Sequence, residues 1–238
     1  QVVNSLTIQK EYTSKTTSAD VFALDNYQAK DGVKYSYASY TPATKSDTLV
    51  VWLHGLGEGG KDANTIADRT TDPYVTTLAN KVTSLTSDEF QNTVGGANIL
   101  VPQCPTYWMD KDGKQGNFNN ASIEADGTSY YQESLHELIA SYKEKVGAKK
   151  VVLAGCSNGG YMALLMGLAY PKEYDAIVPI CEALPDKYIS DEKLQGVKDL
   201  PMYFIYSKDD ETVTPTLHEI PTIKRLKALG ATNLHVST

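Results

Sequence analysis

Cysteine and histidine are both scarce in this chain. Its 238 residues include three cysteines, Cys104, Cys156 and Cys181, and four histidines. An odd and low number of cysteines argues against a disulfide framework, and no cluster of cysteine and histidine has the spacing of a zinc site. We therefore expect Cys156 and Cys181 to be buried, unpaired thiols, and the sequence predicts neither a metal nor an organic cofactor.

Positive charge and long apolar runs are lacking as well. The net charge is -7 and the isoelectric point is near 5.1, which disfavours a nucleic acid or an anionic membrane as a partner. No apolar run approaches the roughly 18 to 20 residues of a transmembrane segment. No signal peptide is visible at Gln1, although a mature secreted protein would look the same. The excess of tyrosine over phenylalanine, 16 against 4, favours a secreted protein.

The order of the apolar segments predicts an α/β fold. Hydrophobic residues make up 41% of the chain, enough for a sizeable core, and its length without repeats or linkers suits one domain over 1–238. Strands alternating with helices predict a mostly parallel central sheet with helices on both faces. The predicted strands are 5–13, 33–41, 47–55, 97–105, 151–156, 175–181, 201–207 and 233–238, and the predicted helices are 73–90, 129–147, 158–170 and 216–229.

The most informative segment is 151–160, which reads VVLAGCSNGG. An apolar run leads into the pattern G-x-S-x-G, and helix-forming residues follow. This order is typical of a nucleophile elbow, in which a sharp strand-to-helix turn presents a serine hydroxyl. The flanking glycines avoid collisions with the neighbouring elements, and free N–H groups at the helix start can hold an oxyanion. Ser157 is the expected nucleophile; a glycine-rich turn without chemistry is the alternative.

A serine nucleophile needs a base and a carboxylate that orients the base, and in this chain order both follow the serine. The predicted strand 201–207 ends just before two aspartates, at the sheet edge where the elbow also lies. The element D-x-x-V favours Asp210 over Asp209. Glu182, directly after the strand 175–181, is a second candidate, and a solvated acidic loop is the alternative to both.

The loop after the strand 47–55 carries several glycines, which let its backbone approach a bound carbonyl. We expect the backbone N–H groups of Leu56 and Asn158 to form the oxyanion hole. His54 begins this loop and precedes the serine. We therefore expect His54 to brace the loop rather than to act as the base.

Two glycine-rich motifs and their surroundings resemble a known family. HGLGEGG (54–60) and GCSNGG (155–160) are similar to the HGLGD-type loop and the GFSQGG-type elbow of the bacterial carboxylesterase, phospholipase and acyl-protein thioesterase group of α/β-hydrolases. ILVPQCP (99–105) followed by WMD (108–110) is similar to the P-x-A-P strand end and the W-x-D element of that group. The resemblance covers about 47–238 and extends to secreted polyester and plant-cell-wall esterases.

The resemblance implies an α/β-hydrolase fold in which Ser157 is the nucleophile, Asp210 is the acid, and Leu56 and Asn158 are the oxyanion donors. It also implies that Trp108 lies near the substrate, and we expect this side chain to bind it. A half-buried core tryptophan is the alternative.

No histidine is well placed for the base. His136 lies within a predicted helix, His218 lies in the helix after the acid, and His235 lies on the last predicted strand. In the family that the chain resembles, the base sits on a loop after the last strand. Two interpretations stay open: His235 completes the triad through an unusual local geometry, or the base follows Thr238 and the chain lacks its C-terminal end. A hydrolase fold without activity is the third.

These features predict a serine hydrolase that cleaves carboxylic esters through an acyl-enzyme on Ser157. The expected substrate is a small-molecule or polysaccharide-linked ester, which includes the esters of plant cell walls. Three alternatives stay open: a peptidase of the prolyl-oligopeptidase type, an inactive binding module, and a catalytic domain within a larger carbohydrate-active protein. The polar segment 111–127 is expected to border the pocket and to shape specificity. The sequence does not indicate an oligomeric state.

Overall fold

The structure, a computed structural model, describes residues 18–62, 67–68, 73–114 and 124–238. The strand predicted over 5–13 lies outside these residues, as does most of the loop predicted over 111–127.

A mostly parallel sheet of eight strands forms the centre of the molecule, in the order β1-β2-β6-β3-β7-β8-β9-β10. Only β2 runs against its neighbours β1 and β6, and β6, β3, β7, β8, β9 and β10 are parallel to one another. These strands are β1 (Ala23–Gln28), β2 (Lys34–Tyr40), β3 (Thr48–Leu53), β6 (Asn98–Gln103), β7 (Lys150–Cys156), β8 (Ala176–Ile180), β9 (Met202–Ile205) and β10 (Leu234–Ser237); β4 (Lys61–Asp62) and β5 (Ala67–Asp68) pair separately.

Six α-helices lie in the part of the chain that the structure describes, and none of them is long and apolar enough to cross a membrane. They are α1 (Val75–Leu78), α2 (Asp88–Val94), α3 (Gln132–Val146), α4 (Asn158–Ala169), α5 (Asp191–Val197) and α6 (Glu219–Ala228). Short 3₁₀ helices cover Leu56–Glu58, Val82–Thr86 and Asp186–Tyr188.

The predicted α/β fold is confirmed, but the helix predicted over 73–90 is wrong, and β1 and α5 were not predicted. The segment 73–90 is not one helix but α1, a 3₁₀ helix and the start of α2. Asn80 and Lys81 both adopt the left-handed region, with φ of 53° and 55°, which ends a right-handed helix. A new helix then begins behind Ser87, whose hydroxyl accepts a hydrogen bond from the N–H of Phe90 at 3.2 Å.

Alternation along the central strands divides the core between the two faces of the sheet. Leu49, Val51 and Leu53 of β3 join the large cluster formed with α3, α4, α5 and α6. Val50 and Trp52 point to the other face and join the smaller cluster around Val82 and Phe90. Because both faces are covered, the central parallel strands β3 and β6 are buried along almost their whole length.

The strand directions bring four loops to one edge of the sheet. β3, β7, β8 and β9 lie side by side in this order and are all parallel, so their carboxyl ends share that edge. The loops that follow these strands begin at 54, 157, 181 and 206. In open α/β sheets ligands bind at this edge, so a functional site is expected there.

Candidate active site

Ser157 occupies a strained turn between β7 and α4. Its backbone has φ 56° and ψ -115°, a conformation that residues other than glycine rarely adopt and that is typical of functional turns. Two hydrogen bonds hold it there: its N–H donates to the carbonyl of Ile180 on β8 at 2.8 Å, and its carbonyl accepts from Tyr161 on α4 at 2.9 Å. The side chain is half-buried, so its hydroxyl lies at the surface of the sheet edge.

The glycines on either side of the serine are required by backbone packing. A Cβ on Gly159 would lie 1.9 Å from the carbonyl oxygen of Leu53, and a Cβ on Gly155 would lie 2.3 Å from the carbonyl oxygen of Gly159. Both obstacles are main-chain atoms, which cannot rotate away. The end of β3 and the start of α4 are therefore in direct backbone contact, and this contact sets the oxyanion loop against the elbow.

Leu56 and Asn158 occupy equivalent positions on these two elements. Leu56 is the first residue of the 3₁₀ helix after β3, and Asn158 is the first residue of α4. The first N–H groups of a helix have no acceptor within it. The structure thus places both predicted oxyanion donors at helix starts, on the loops that meet at the sheet edge.

Glu58 fixes the shape of the oxyanion loop. Its Oε2 accepts from the N–H of Gly55 at 3.0 Å and from the side-chain amide of Asn80 at 3.0 Å, while Oε1 is buried without a partner among the described residues. Burial raises the pKa of Glu58 to about 7. The carboxyl group that holds the loop therefore changes charge near neutral pH.

His54 is fully buried and braces the same loop. Its Nδ1 pairs with the carbonyl of Gly55 at 2.6 Å, and its Nε2 accepts from the N–H of Cys104 at 2.9 Å. Because a carbonyl only accepts and an N–H only donates, these partners require the neutral tautomer with the proton on Nδ1. Neither ring nitrogen is free to take a proton from Ser157, in agreement with the bracing position expected from the sequence.

Trp108 is also fully buried, and this differs from the expected substrate-binding side chain. Its indole N–H donates to the carbonyl of His54 at 3.1 Å, and its backbone N–H donates to Oδ1 of Asn158 at 2.6 Å. It therefore has no surface to offer a substrate in this structure. Trp108 instead connects the oxyanion loop to the first residue after the nucleophile, and a buried indole N–H needs such an acceptor.

Asp210 lies in the turn after β9, and the geometry favours it over the two other acids. Its Oδ1 accepts from the N–H groups of Thr212 and Val213, both at 2.8 Å, so the turn fixes the carboxylate. Asp209 is exposed and accepts from the hydroxyl of Ser207.

The charge of Asp210 acts on the two cysteines beside the elbow. Its negative charge contributes to raising the pKa of Cys156, the residue before the nucleophile, and acts in the same direction on Cys181, the residue after β8. Asp210 follows β9, whose carboxyl end lies at the same edge of the sheet as the end of β7, where Ser157 begins the next loop.

Glu182, the second acid candidate, is buried and held away from solvent. Its Oε2 accepts from the N–H of Leu184 at 2.6 Å, and Oε1 has no partner among the described residues. Burial, followed by the charge of Glu219, raises the pKa of Glu182 well above its usual range. A raised pKa favours the neutral carboxylic acid, which stabilises an imidazolium less than a carboxylate does, so Glu182 is less suited than Asp210 to orient the base.

Glu219, the first residue of α6, is a functional-site neighbour that the sequence did not reveal. Its side chain is buried, and both carboxyl oxygens lack a partner within the described ranges. Burial raises the pKa of Glu219 to about 7, and the negative charges of Cys181 and Asp210 act in the same direction. No local pattern marks this residue, because its burial results from the docking of α6.

The cysteines at the elbow differ from the sequence prediction. Cys156 and Cys181 are half-buried and not independent: their sulfur atoms are 3.4 Å apart. Cys156 ends β7 and aligns with Ile180 on the neighbouring strand β8, so that Cys181 follows one residue later. The strand order was the missing signal; once it is known, the two positions are adjacent. Cys104 is fully buried.

All four histidines have partners other than Ser157, and those of His54 are the carbonyl of Gly55 and the N–H of Cys104. His136 stacks on Tyr170 with ring centroids 3.9 Å apart. His218 donates from Nδ1 to the carbonyl of Thr214 at 2.8 Å. His235 is exposed and aligns with Tyr203 near the start of β9, whereas the elbow lies at the carboxyl ends of the strands. The structure does not bring His235 to the nucleophile. Among the described residues, no group of three or more acidic, histidine or cysteine side chains could hold a metal ion.

The strand order, the strained serine between two glycines and the carboxylate after a neighbouring strand define an α/β-hydrolase. Comparison with protein families agrees: residues 38–237 match the family described as Phospholipase/Carboxylesterase. The chain belongs to this family. A search of curated proteins found no match.

Solved structures show the same fold. A thermostable esterase is similar with a TM-score of 0.74 and 21% identity, over 94% of this chain and 55% of that one. A ferulic acid esterase matches with a TM-score of 0.63 and 14% identity, over 91% and 89%. An acylaminoacyl peptidase from Pyrococcus horikoshii matches with a TM-score of 0.58 and 15% identity, over 91% of this chain and 36% of that one. The chain thus spans about half of the first protein and about a third of the last.

Proposed function

We propose that this protein is a serine esterase that cleaves carboxylic esters through an acyl-enzyme on Ser157. The observation that carries the proposal is the strained backbone of Ser157 between two helix starts. A strained turn at a functional site holds a side chain where relaxed backbone would not. Family membership supports the same reaction class.

In the proposed reaction, Ser157 Oγ attacks the ester carbonyl carbon while an imidazole base takes its proton. The N–H groups of Leu56 and Asn158 donate to the developing oxyanion. Asp210 accepts from the imidazole and stabilises its protonated form. The protonated base then gives its proton to the leaving alcohol, and water releases the acyl group by the same steps in reverse. None of the four histidines occupies the position of this base among the described residues.

The proposed substrate is a small-molecule or polysaccharide-linked ester, and the protein is proposed to be secreted. The fold is shared with a ferulic acid esterase, so an ester of ferulic acid is one candidate within this class. Trp108 contributes to this site as a buried support and not as a substrate contact.

Labelling with a fluorophosphonate, followed by the intact mass, tests the nucleophile. We expect one adduct that is lost in Ser157→Ala. A matched pair of neighbouring variants tests the acid: Asp210→Asn should lower kcat by about 10⁴-fold, as loss of the orienting carboxylate does in serine hydrolases, whereas Asp209→Asn should change it by less than about twofold. Equal losses in the two variants would remove Asp210 from the mechanism.

Substrate choice separates the esterase from its alternatives. A p-nitrophenyl acetate or butyrate should be cleaved far faster than a peptide p-nitroanilide. Faster cleavage of the anilide would indicate a peptidase, to which the fold similarity with the acylaminoacyl peptidase also points. A protein without adduct and without turnover on either substrate would be a binding module on a hydrolase fold.

A further inference from the structure

We propose that Cys156 and Cys181 form a thiol modification site that a small-molecule disulfide oxidises to an intramolecular disulfide, and that this bond controls the nucleophile between them. The two sulfur atoms are 3.4 Å apart; Cys156 ends β7, and Cys181 directly follows the adjacent parallel strand β8. Both side chains are half-buried, so a small reagent can reach them. Cys104 is fully buried and provides an unreactive thiol in the same chain.

Backbone hydrogen bonds keep the two thiols at this separation. The N–H of Cys181 donates to the carbonyl of Ile205 at 2.7 Å, and the N–H of Ser157 donates to the carbonyl of Ile180 at 2.8 Å. Cys181 also has a left-handed backbone with φ 36°, which a relaxed loop would avoid. The S–S bond of a disulfide is about 2 Å long, so the two sulfur atoms must approach each other by about 1.4 Å.

The environments of the two thiols assign them different roles. The hydrogen bond from Cys156 and the N–H of Ser157 lower the pKa of Cys181 to about 7, against the opposing effect of burial. Donating that hydrogen bond raises the pKa of Cys156. Asp210 and Glu58 face Cys156, and Asp210 and Glu219 face Cys181. Cys181 is therefore the attacking thiolate and Cys156 the resolving thiol.

The exchange balances in two steps. The Cys181 thiolate attacks one sulfur of oxidised glutathione, forms a mixed disulfide and releases one glutathione thiolate, which takes up a proton. Cys156 loses its proton, attacks the Cys181 sulfur and releases the second glutathione. One glutathione disulfide is reduced to two thiols, and the protein loses two hydrogen atoms.

The bond would act on catalysis through the elbow, and this part rests on the proposed function. Closing the sulfur atoms from 3.4 Å to about 2 Å pulls the residue before Ser157 toward β8. Misplacement of a reacting group by about 1 Å lowers the rate by up to about 100-fold. We expect oxidation to lower the esterase activity at least about tenfold, and reduction to restore it.

In the test, the protein is incubated with oxidised glutathione, its remaining thiols are alkylated, and its intact mass is measured. A 2 Da loss, two fewer alkylated thiols and a linked 156–181 peptide would support the site. Cys181→Ala should abolish the 2 Da loss, whereas Cys104→Ala should leave both the product and the basal activity unchanged. No linked product in the unsubstituted protein, or the same product in Cys181→Ala, would overturn the proposal.

Activity, measured on p-nitrophenyl acetate before oxidation, after it and after dithiothreitol, separates this proposal from the proposed function. An active enzyme that forms the bond and keeps its full rate would refute the control of Ser157. A protein that is inactive when fully reduced would instead refute the esterase proposal, and the linked peptide would still decide whether the site exists.

Discussion

Gly159→Ala adds one methyl group at the most crowded point of the elbow. The new Cβ would lie 1.9 Å from the carbonyl oxygen of Leu53 and 2.6 Å from that of His54, and ordinary contacts begin near 3.4 Å. The first residues of α4 would therefore have to move by about 1.5 Å from the end of β3. Overpacking of a core costs about 1–3 kcal/mol, and a backbone obstacle places this variant at the upper end or beyond.

Gly196→Ala is the matched control, because it adds the same methyl group to another helix. A Cβ at Gly196 meets nothing within 4 Å, and this glycine lies inside α5. Replacing glycine by alanine within a helix stabilises it by about 0.5–1 kcal/mol. The same chemical change should therefore have opposite signs at the two positions.

Urea unfolding, followed by circular dichroism, measures both variants under conditions where refolding is complete. We expect Gly159→Ala to lose about 3 kcal/mol or more, which corresponds to a fall in Tm of about 6–12 °C for a chain of this size. It should also lose at least about tenfold in kcat, since Asn158 moves with it. The Tm of Gly196→Ala should rise by about 1–4 °C. A Gly159→Ala protein as stable as the control would show that β3 and α4 are not in the contact described here.

Three further variants test how the site is held together. Asn158→Ala removes the side-chain oxygen that accepts from the backbone N–H of Trp108. We expect the free energy of unfolding in urea to fall by about 1–3 kcal/mol, and no fall would mean that water replaces the acceptor. Trp108→Phe keeps an aromatic ring but removes the indole N–H and part of the buried ring volume, so stability should fall by at least about 1 kcal/mol. We expect kcat to fall while KM stays within about twofold, and a selective rise in KM would indicate substrate contact. Glu219 has a folded pKa of about 7 against an ordinary value near 4.5, so the folded state keeps a proton that the unfolded state loses in this window, and stability falls as pH rises through it. Glu219→Gln should therefore match the unsubstituted protein near pH 4.5 and exceed it by about 1–2 kcal/mol at pH 8, after solvent screening; parallel stability curves for the two proteins would contradict the raised pKa.

The fold was predictable where the sequence signal is local. β3 and β7 are buried on both faces, so each is a continuous apolar run whose end is marked by a glycine, and the predicted bounds fall within two residues of the observed ones. Ser157 follows from the same segment, because the turn needs glycines on both sides of it. The helix predicted over 73–90 was wrong because helix-forming side chains do not reveal that Asn80 and Lys81 take the left-handed region.

The contacts that complete the site were not predictable, because they join residues distant in sequence. Trp108 bonds Asn158 across 50 positions, and Cys156 meets Cys181 across 25. Each contact depends on the strand order, which sets the end of β7 beside β8 and the loop after β6 against the elbow. The family resemblance suggested that Trp108 binds the substrate, and the sequence suggested two separate thiols. In the structure Trp108 packs against the elbow and the two thiols are in contact.

The charges at the sheet edge affect how the pH dependence of the proposed esterase activity is to be interpreted. In a serine hydrolase the rising limb of the pH profile reports the loss of a proton from the imidazole base. Here Glu58 and Glu219 also have pKa values of about 7, and Glu58 holds the oxyanion loop through Gly55. Ionisation of these acids therefore coincides with that of a histidine near its ordinary pKa. The profile reports a coupled group of sites, and only the variants that remove one carboxyl at a time can assign its limbs.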